Sequence, residues 1–378
     1  MNKIFKPNYK HSVINIPATI MEYYGVKNEY PKSAVLKKEL KKKYKNVVFI
    51  LFDGFGKNIM NKHLNSDDII RSHTAEILHS VFPPTTTAST TTYTTCSYPS
   101  EHGWLGWNMY FADIDKVVDL FTAMESYDQV KLDDTGYIAR TIPTKRIFDK
   151  ITKKGKCEVT LVYPDNLPVP GNSKPYKTLN GMFRNIKKIC DNDKSNFVFC
   201  YNPNPDGIMH EFGPYSTEAN KFVKTINTSV AKLMDEVDDT LVIICADHGQ
   251  IEIKNRIYLH QYKDLCDLLV NPPYLDARTI GFNVKPGKRV QFYKLFMKYF
   301  GNEFLLYTKE TIQKKKLFGT KSDLVDKYIG DFVAIGYGNS IIQYTTHGSD
   351  ENLIKFKGHH SGLTREEVEV PLVLIGKK

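Results

Sequence analysis

The chain has 378 residues, 41% hydrophobic and 25% charged, a composition that supports a large buried core and excludes a disordered or collagen-like polymer. Its net charge of +10, from 52 Lys and Arg against 42 Asp and Glu, favours anionic partners. No arginine-rich patch, zinc-finger spacing or aromatic RNA-binding signature accompanies that charge, so the lysines read as a dispersed solvated surface and not as a nucleic-acid site.

The opening stretch, MNKIFKPNYKHSVINIP, lacks the continuous apolar run of a secretory leader, and no segment reaches the ~20 apolar residues that span a bilayer. Six scattered cysteines form no CxxC, and Cys200 and Cys245 sit inside apolar runs. A reducing, cytoplasmic setting is expected. Residues 16–25 and 32–45 are predicted helices outside a sheet, the second carrying a lysine-rich solvated face. Asn46–Phe52 follows as the first central strand, and Gly54 and Gly56 permit a tight turn after Asp53.

The stretch 81–103, VFPPTTTASTTTYTTCSYPSEHG, suits neither a core strand nor an ordinary helix. Two prolines end its apolar approach and set up a helix start, where unpaired N–H groups and the positive dipole end favour a hydroxyl cap or a bound phosphate. A threonine is a poor nucleophile until a base or a metal removes its proton, so the reading turns on a metal site elsewhere. Trp104 and Trp107, which follow at once, are core residues or a wall for a substrate group.

Downstream the pattern alternates: helix over 144–154, strand over 158–163, helix over 174–191, strand over 196–201, helix over 215–237 and strand over Thr240–Cys245. Apolar runs ending in acid or imidazole recur, at Asp53, at Asp206 with His210, at Asp247 with His248, and at the pair His359 and His360. Strands of this kind belong to a largely parallel sheet, whose carboxyl ends meet in one crevice. Asp206 and His210 are four apart, on one face of a helical turn. Asp and His donors suit zinc or manganese, and two clusters of three can hold two ions. Between 276 and 335 the pattern becomes strand, helix, strand, strand, a predicted α+β cap inserted into a catalytic domain of residues 1–275 and 336–378.

These motifs resemble the alkaline phosphatase superfamily, nearest its type I phosphodiesterase and nucleotide pyrophosphatase branch. The carrying blocks are ILFDGFG at 50–56, FPPTTTA at 82–88, YPSEHG at 98–103, PDGIMHEFGP at 205–214, ADHGQ at 246–250 and HSGLTREEVEVPLVLIG at 360–376. The resemblance implies an α/β sandwich with a mostly parallel central sheet flanked by helices. It also implies two divalent ions, zinc first with manganese tolerated. One would be held by Asp53, Asp247 and His248 beside the nucleophile Thr86, itself a ligand; the other by Asp206, His210 and His360.

Thr86 is the position four after Phe82 in the resembled motif, with Thr85 and Thr87 its rivals; His360 precedes the Ser-Gly-Leu that matches the motif, leaving His359 as a neighbour. His102 and His347 receive no ligand role. Two departures bear on substrate: an asparagine associated with phosphate in many relatives falls on Ser89, and no arginine stands near the nucleophile. The implied activity is hydrolysis of phosphodiester or pyrophosphate bonds in a small anionic substrate through a phosphothreonine. The alternatives are a phosphomonoesterase or sugar-phosphate mutase of the same superfamily, or an inactive protein that binds phosphate compounds.

Overall fold

The seven residues Asn46–Phe52 are all buried, the condition of a central strand covered by helices on both faces. In the computed structural model, which describes residues 4–167, 169, 171–347 and 353–378, this strand runs parallel to Asn196–Asn202 on one side and Thr240–Cys245 on the other. Residues 1–3 of the opening stretch lie outside the described residues. The seven-stranded sheet has the order Thr74–His79, Glu369–Lys377, Thr240–Cys245, Asn46–Phe52, Asn196–Asn202, Glu158–Pro164, Ser173–Tyr176. Glu369–Lys377 is antiparallel to both its neighbours, and the other pairs are parallel. The expected α/β sandwich is present. Three strands run side by side in one direction, so Asp53, Asp206 and Asp247 emerge just beyond the same end of the sheet.

Helices cover the sheet where their apolar faces demand it. Thr217–Glu236 buries Val223, Ile226, Val230 and Leu233, and Ser216 caps it by accepting the amide of Ala219. The predicted helix 174–191 divides: Ser173–Tyr176 is an edge strand, and the helix is Leu179–Cys190, started by Thr178 accepting from Gly181 N–H. Pro175 explains the difference, since a residue without an N–H is tolerated on a sheet edge and not inside a helix.

The region 274–336 builds a separate four-stranded antiparallel sheet, ordered Tyr274–Leu275, Thr279–Phe282, Phe332–Gly336, Phe304–Thr308. The helix Arg289–Phe300 packs Phe292 and Phe296 onto it against Phe282. Two helices not foreseen, Lys309–Lys315 and Asp323–Tyr328, fill the connection and are capped by Thr308 and Ser322. Their brevity gave no helical period to read. Arg278, fully buried, ties this sheet to the segment after His360: its Nε and Nη2 donate to Glu367 at 2.7 and 3.1 Å. A charge so deep is stable only when paired in this way. All six cysteines are free thiols. Among the described residues no helix is long and apolar enough to cross a membrane.

Candidate active site

Asp53 follows the last residue of its strand, and its two oxygens divide their work. Oδ2 accepts the Tyr201 hydroxyl at 2.6 Å, whereas Oδ1 is buried with no partner. Asp247 repeats the arrangement. Its Oδ1 accepts the amides of Gly54 and His248, both at 3.0 Å, and its Oδ2 is buried and unpartnered. Two buried, unsatisfied carboxylate oxygens at one place are costly without a cation.

The imidazoles share one orientation. Nδ1 of His248 lies 3.0 Å from Gly249 O, that of His210 2.8 Å from Gly358 O, and that of His360 3.1 Å from Pro84 O. A carbonyl only accepts, so each Nδ1 carries the proton and each Nε2 presents a lone pair to the site, as metal-ligating histidines do. Asp206, His210 and His360 place one ligand atom each within 4.8 Å of one another, and Asp53, Asp206 and His248 do the same. Asp206 is thus common to both groups, where the sequence suggested two separate trios. Asp247 adjoins the second group, with Oδ2 3.5 Å from His248 Nε2. Gln250 Nε2 donates to Asp206 Oδ1 at 2.7 Å.

The electrostatics follow from burial. Asp53 is held far above the ordinary carboxylate range by burial first, then by repulsion from Asp247 and Asp206. Burial also raises Asp247. Burial acts in the same sense on Asp206, but His210 and His360 outweigh it and leave that carboxylate below its ordinary value. His360 is pushed well down by burial and by His248. Oxygen and imidazole donors, orphaned carboxylate oxygens and Nε2 atoms turned inward together fit two divalent cations.

The threonine-rich helix Thr86–Thr95 starts at this cluster. Thr86 Oγ1 lies 3.2 Å from His248 Nε2. Thr85 instead donates to Asp276 Oδ2 at 2.7 Å, and Thr87 to Gly106 O at 2.6 Å. His359 is turned differently from the three imidazoles, its Nδ1 lying against the backbone of His360, 2.9 Å from N and 3.0 Å from O. His102 is buried, with Nε2 against Thr92, and His347 is exposed beside Asp128.

Among protein families, the model of the type I phosphodiesterase / nucleotide pyrophosphatase family matches residues 47–363. The chain belongs to this family. That span holds every candidate ligand and the threonine-rich helix Thr86–Thr95. No curated protein sequence matches the chain. Among solved structures, murine ectonucleotide pyrophosphatase/phosphodiesterase 5 is 16% identical with TM-score 0.65, over 86% of this chain and 87% of that one. The human protein of that name is 17% identical with TM-score 0.65, over 87% of each chain. Phosphonoacetate hydrolase from Sinorhizobium meliloti 1021 is 16% identical with TM-score 0.61, over 86% of this chain and 89% of that one. These likenesses show the alkaline-phosphatase-superfamily fold, and family membership makes the protein a metal-dependent phosphodiesterase/pyrophosphatase-type hydrolase.

In this family member a cavity of about 480 Å³ opens from Thr86 and the ligand groups. Asn108 and Trp107 line it, whereas Ser89 does not: it is fully buried, with its hydroxyl 2.9 Å from that of Ser80. The serine that stands where many relatives have an asparagine thus lies away from the cavity, and Asn108 is an asparagine that lines it. Its Oδ1 accepts the amide of Leu275 at 2.8 Å. Gly106 makes that approach possible, since a Cβ there would stand 2.7 Å from Leu275 Cα. Asp276, Tyr344 and Phe356 also line the cavity and carried no sequence signal: Asp276 lies between the strands Tyr274–Leu275 and Thr279–Phe282, Tyr344 just after the strand Ser340–Gln343 and Phe356 just before the strand Gly358–His359, segments remote from one another in sequence.

Proposed function

We propose that the protein hydrolyses phosphodiester or pyrophosphate bonds with two divalent metal ions, zinc first and manganese as the alternative, through a phosphothreonine on Thr86. Asp53, Asp247, His248 and Thr86 would hold one ion, and Asp206, His210 and His360 the other. Bound there, such ions would lower the pKa of the nucleophile and neutralise charge on the reacting phosphate. Thr86 Oγ1 forms a bond to phosphorus as the bond to the leaving oxygen breaks, and its proton leaves with the product alcohol or phosphate. Water then cleaves the threonyl ester, which frees a phosphate ester and restores the hydroxyl. Tyr201 and Gln250 hold Asp53 and Asp206 in orientation throughout.

The observation that carries this reading is the pair of unpartnered buried oxygens, Asp53 Oδ1 and Asp247 Oδ2, beside a threonine hydroxyl at a helix start. A complete set of acids and imidazoles argues against an inactive binding protein. We also propose residues 276–335 as a cap on a catalytic domain of 1–275 and 336–378, and a cytoplasmic location, which six free thiols support. The murine relative is described both as a pyrophosphatase/phosphodiesterase and, in an inactive form, in complex with AMP.

The test compares p-nitrophenyl phosphate, bis(p-nitrophenyl) phosphate and a dinucleotide after EDTA treatment and after zinc or manganese is restored. Hydrolysis that vanishes with the metal and returns with it supports the reading. Full activity in metal-free protein would sink it, and faster turnover of the monoester would favour the phosphomonoesterase alternative.

A further inference from the structure

Two residues carry a backbone conformation that their side chains disfavour. Among the described residues, the non-glycine positions of positive φ lie between 43° and 59°, near the ordinary left-handed well, except Leu275 at 85° and Ser361 at 88°. Both are fully buried, and they stand on the two sides of one junction. Ser361 follows the candidate ligand His360, and Leu275 opens the turn 275–279 that joins the strands Tyr274–Leu275 and Thr279–Phe282.

That turn holds Ser361 from three directions. Arg278 N–H donates to Ser361 Oγ at 3.2 Å, Thr279 Oγ1 donates to Ser361 O, and Asp276 has Ser361 among the hydrogen-bond partners of its carboxyl. Asp276 Oδ2 also accepts from Thr85 Oγ1 at 2.7 Å, and Pro84 O, one residue earlier, is the carbonyl that meets His360 Nδ1 at 3.1 Å. The contacts close a ring from Asp276 through Thr85, Pro84, His360 and Ser361 back to Asp276. His360 is thus tied to it twice, through its imidazole and through the residue that follows it.

A buried residue far from the favoured regions of φ persists only where its surroundings enforce it, and such residues gather at functional sites. Glycine adopts this conformation freely. The chain uses one next door, at Gly362, where a Cβ would stand 2.5 Å from Gly336 O. At 361 it keeps a hydroxyl where glycine would relax the backbone, so what the position retains is the pair of ties to Arg278 and Asp276.

Resting on the ligand set proposed above, we propose that Ser361 is a positioning residue for the ion held by Asp206, His210 and His360. Its hydroxyl locks the backbone that aims His360 Nε2 at the site. A turn of the second sheet thereby sets the geometry of a ligand that it does not itself carry.

The test titrates zinc calorimetrically into EDTA-treated protein, Ser361→Gly and Ser361→Ala, and unfolds each metal-free chain in urea. Both substitutions are expected to weaken one of the two zinc affinities about tenfold and to leave the other unchanged. The glycine variant should unfold at higher urea than the alanine variant, because only alanine keeps a Cβ in the left-handed region. Affinity then falls in both while stability separates them, a pattern that a merely structural serine would not produce. In a His360→Ala background, Ser361→Gly should leave the remaining affinity unchanged, since its effect passes through that imidazole; a further loss there would overturn the inference. Two zinc affinities retained in Ser361→Gly would also overturn it, with the proposed ligands left intact. His360→Ala protein that still takes up two ions overturns the ligand set, and the inference with it.

Discussion

The hydroxyl oxygen of Thr86 lies 3.2 Å from Nε2 of His248, while the hydroxyls of Thr85 and Thr87 are engaged elsewhere, with Asp276 and Gly106. Thr86→Ala is therefore expected to lower turnover at least about 10³-fold. Thr85→Ala and Thr87→Ala should have much milder effects, and Thr86→Ser should keep partial activity because the oxygen is retained. Mapping a trapped phosphoryl group by mass spectrometry checks the assignment; phosphate on Thr85 or Thr87 would refute it.

Tyr201 gives its only hydroxyl proton to Asp53 Oδ2. Removing that donor leaves the ring packed but frees the carboxylate to rotate, so Tyr201→Phe is expected to weaken metal affinity by about 10- to 100-fold. Calorimetric titration of zinc into the metal-free variant measures this. Unchanged affinity would mean that the backbone alone positions Asp53.

His360 and His359 are adjacent in sequence but oppositely arranged, with Nδ1 of His360 on Pro84 O and Nδ1 of His359 on the backbone of His360. Elemental analysis of His360→Ala is expected to give one metal ion fewer per chain, with His359→Ala close to normal. The reverse pattern would move the ligand by one position.

Asp276, which lines the same cavity as the ligand cluster, supplies a pH dependence of its own. Burial raises its carboxyl from 3.8 to about 6, against the opposing pull of its bonds from Thr85 and Ala277. A raised acid binds its proton more tightly in the folded state, so its contribution is fully present below pH 3.8 and is lost as pH rises through about 6. In full that loss is on the order of 3 kcal/mol. Asp276→Asn, which cannot ionise, should make EDTA-treated protein relatively more stable above pH 6 than below pH 4, compared with the unaltered chain. Urea unfolding at both pH values tests this; a gap independent of pH would contradict it.

Much of this site was legible in the sequence, for reasons that lie in local chemistry. Apolar runs ending in Asp53 and Asp247 are recognisable because a buried parallel strand needs continuous hydrophobic residues and an acid at its end stands out. The spacing from Asp206 to His210 is a property of one helical turn, and the structure puts both on the helix Asp206–Phe212. Strand bounds such as Asn46–Phe52 and Thr240–Cys245 coincide with those read from the residues. What sequence could not decide depends on distances between remote segments. Eight threonines among the eleven residues 85–95 are chemically alike, and only the packing around them shows that the Thr85 and Thr87 hydroxyls meet Asp276 and Gly106 while that of Thr86 faces His248. Asp206 became common to both ligand groups because its carboxylate comes within reach of Asp53, His248 and His360, all on segments remote from it in sequence. Asn108 is held at the cavity by the amide of Leu275, 167 residues away, a pairing between the strands Asn108–Phe111 and Tyr274–Leu275 that no local pattern encodes.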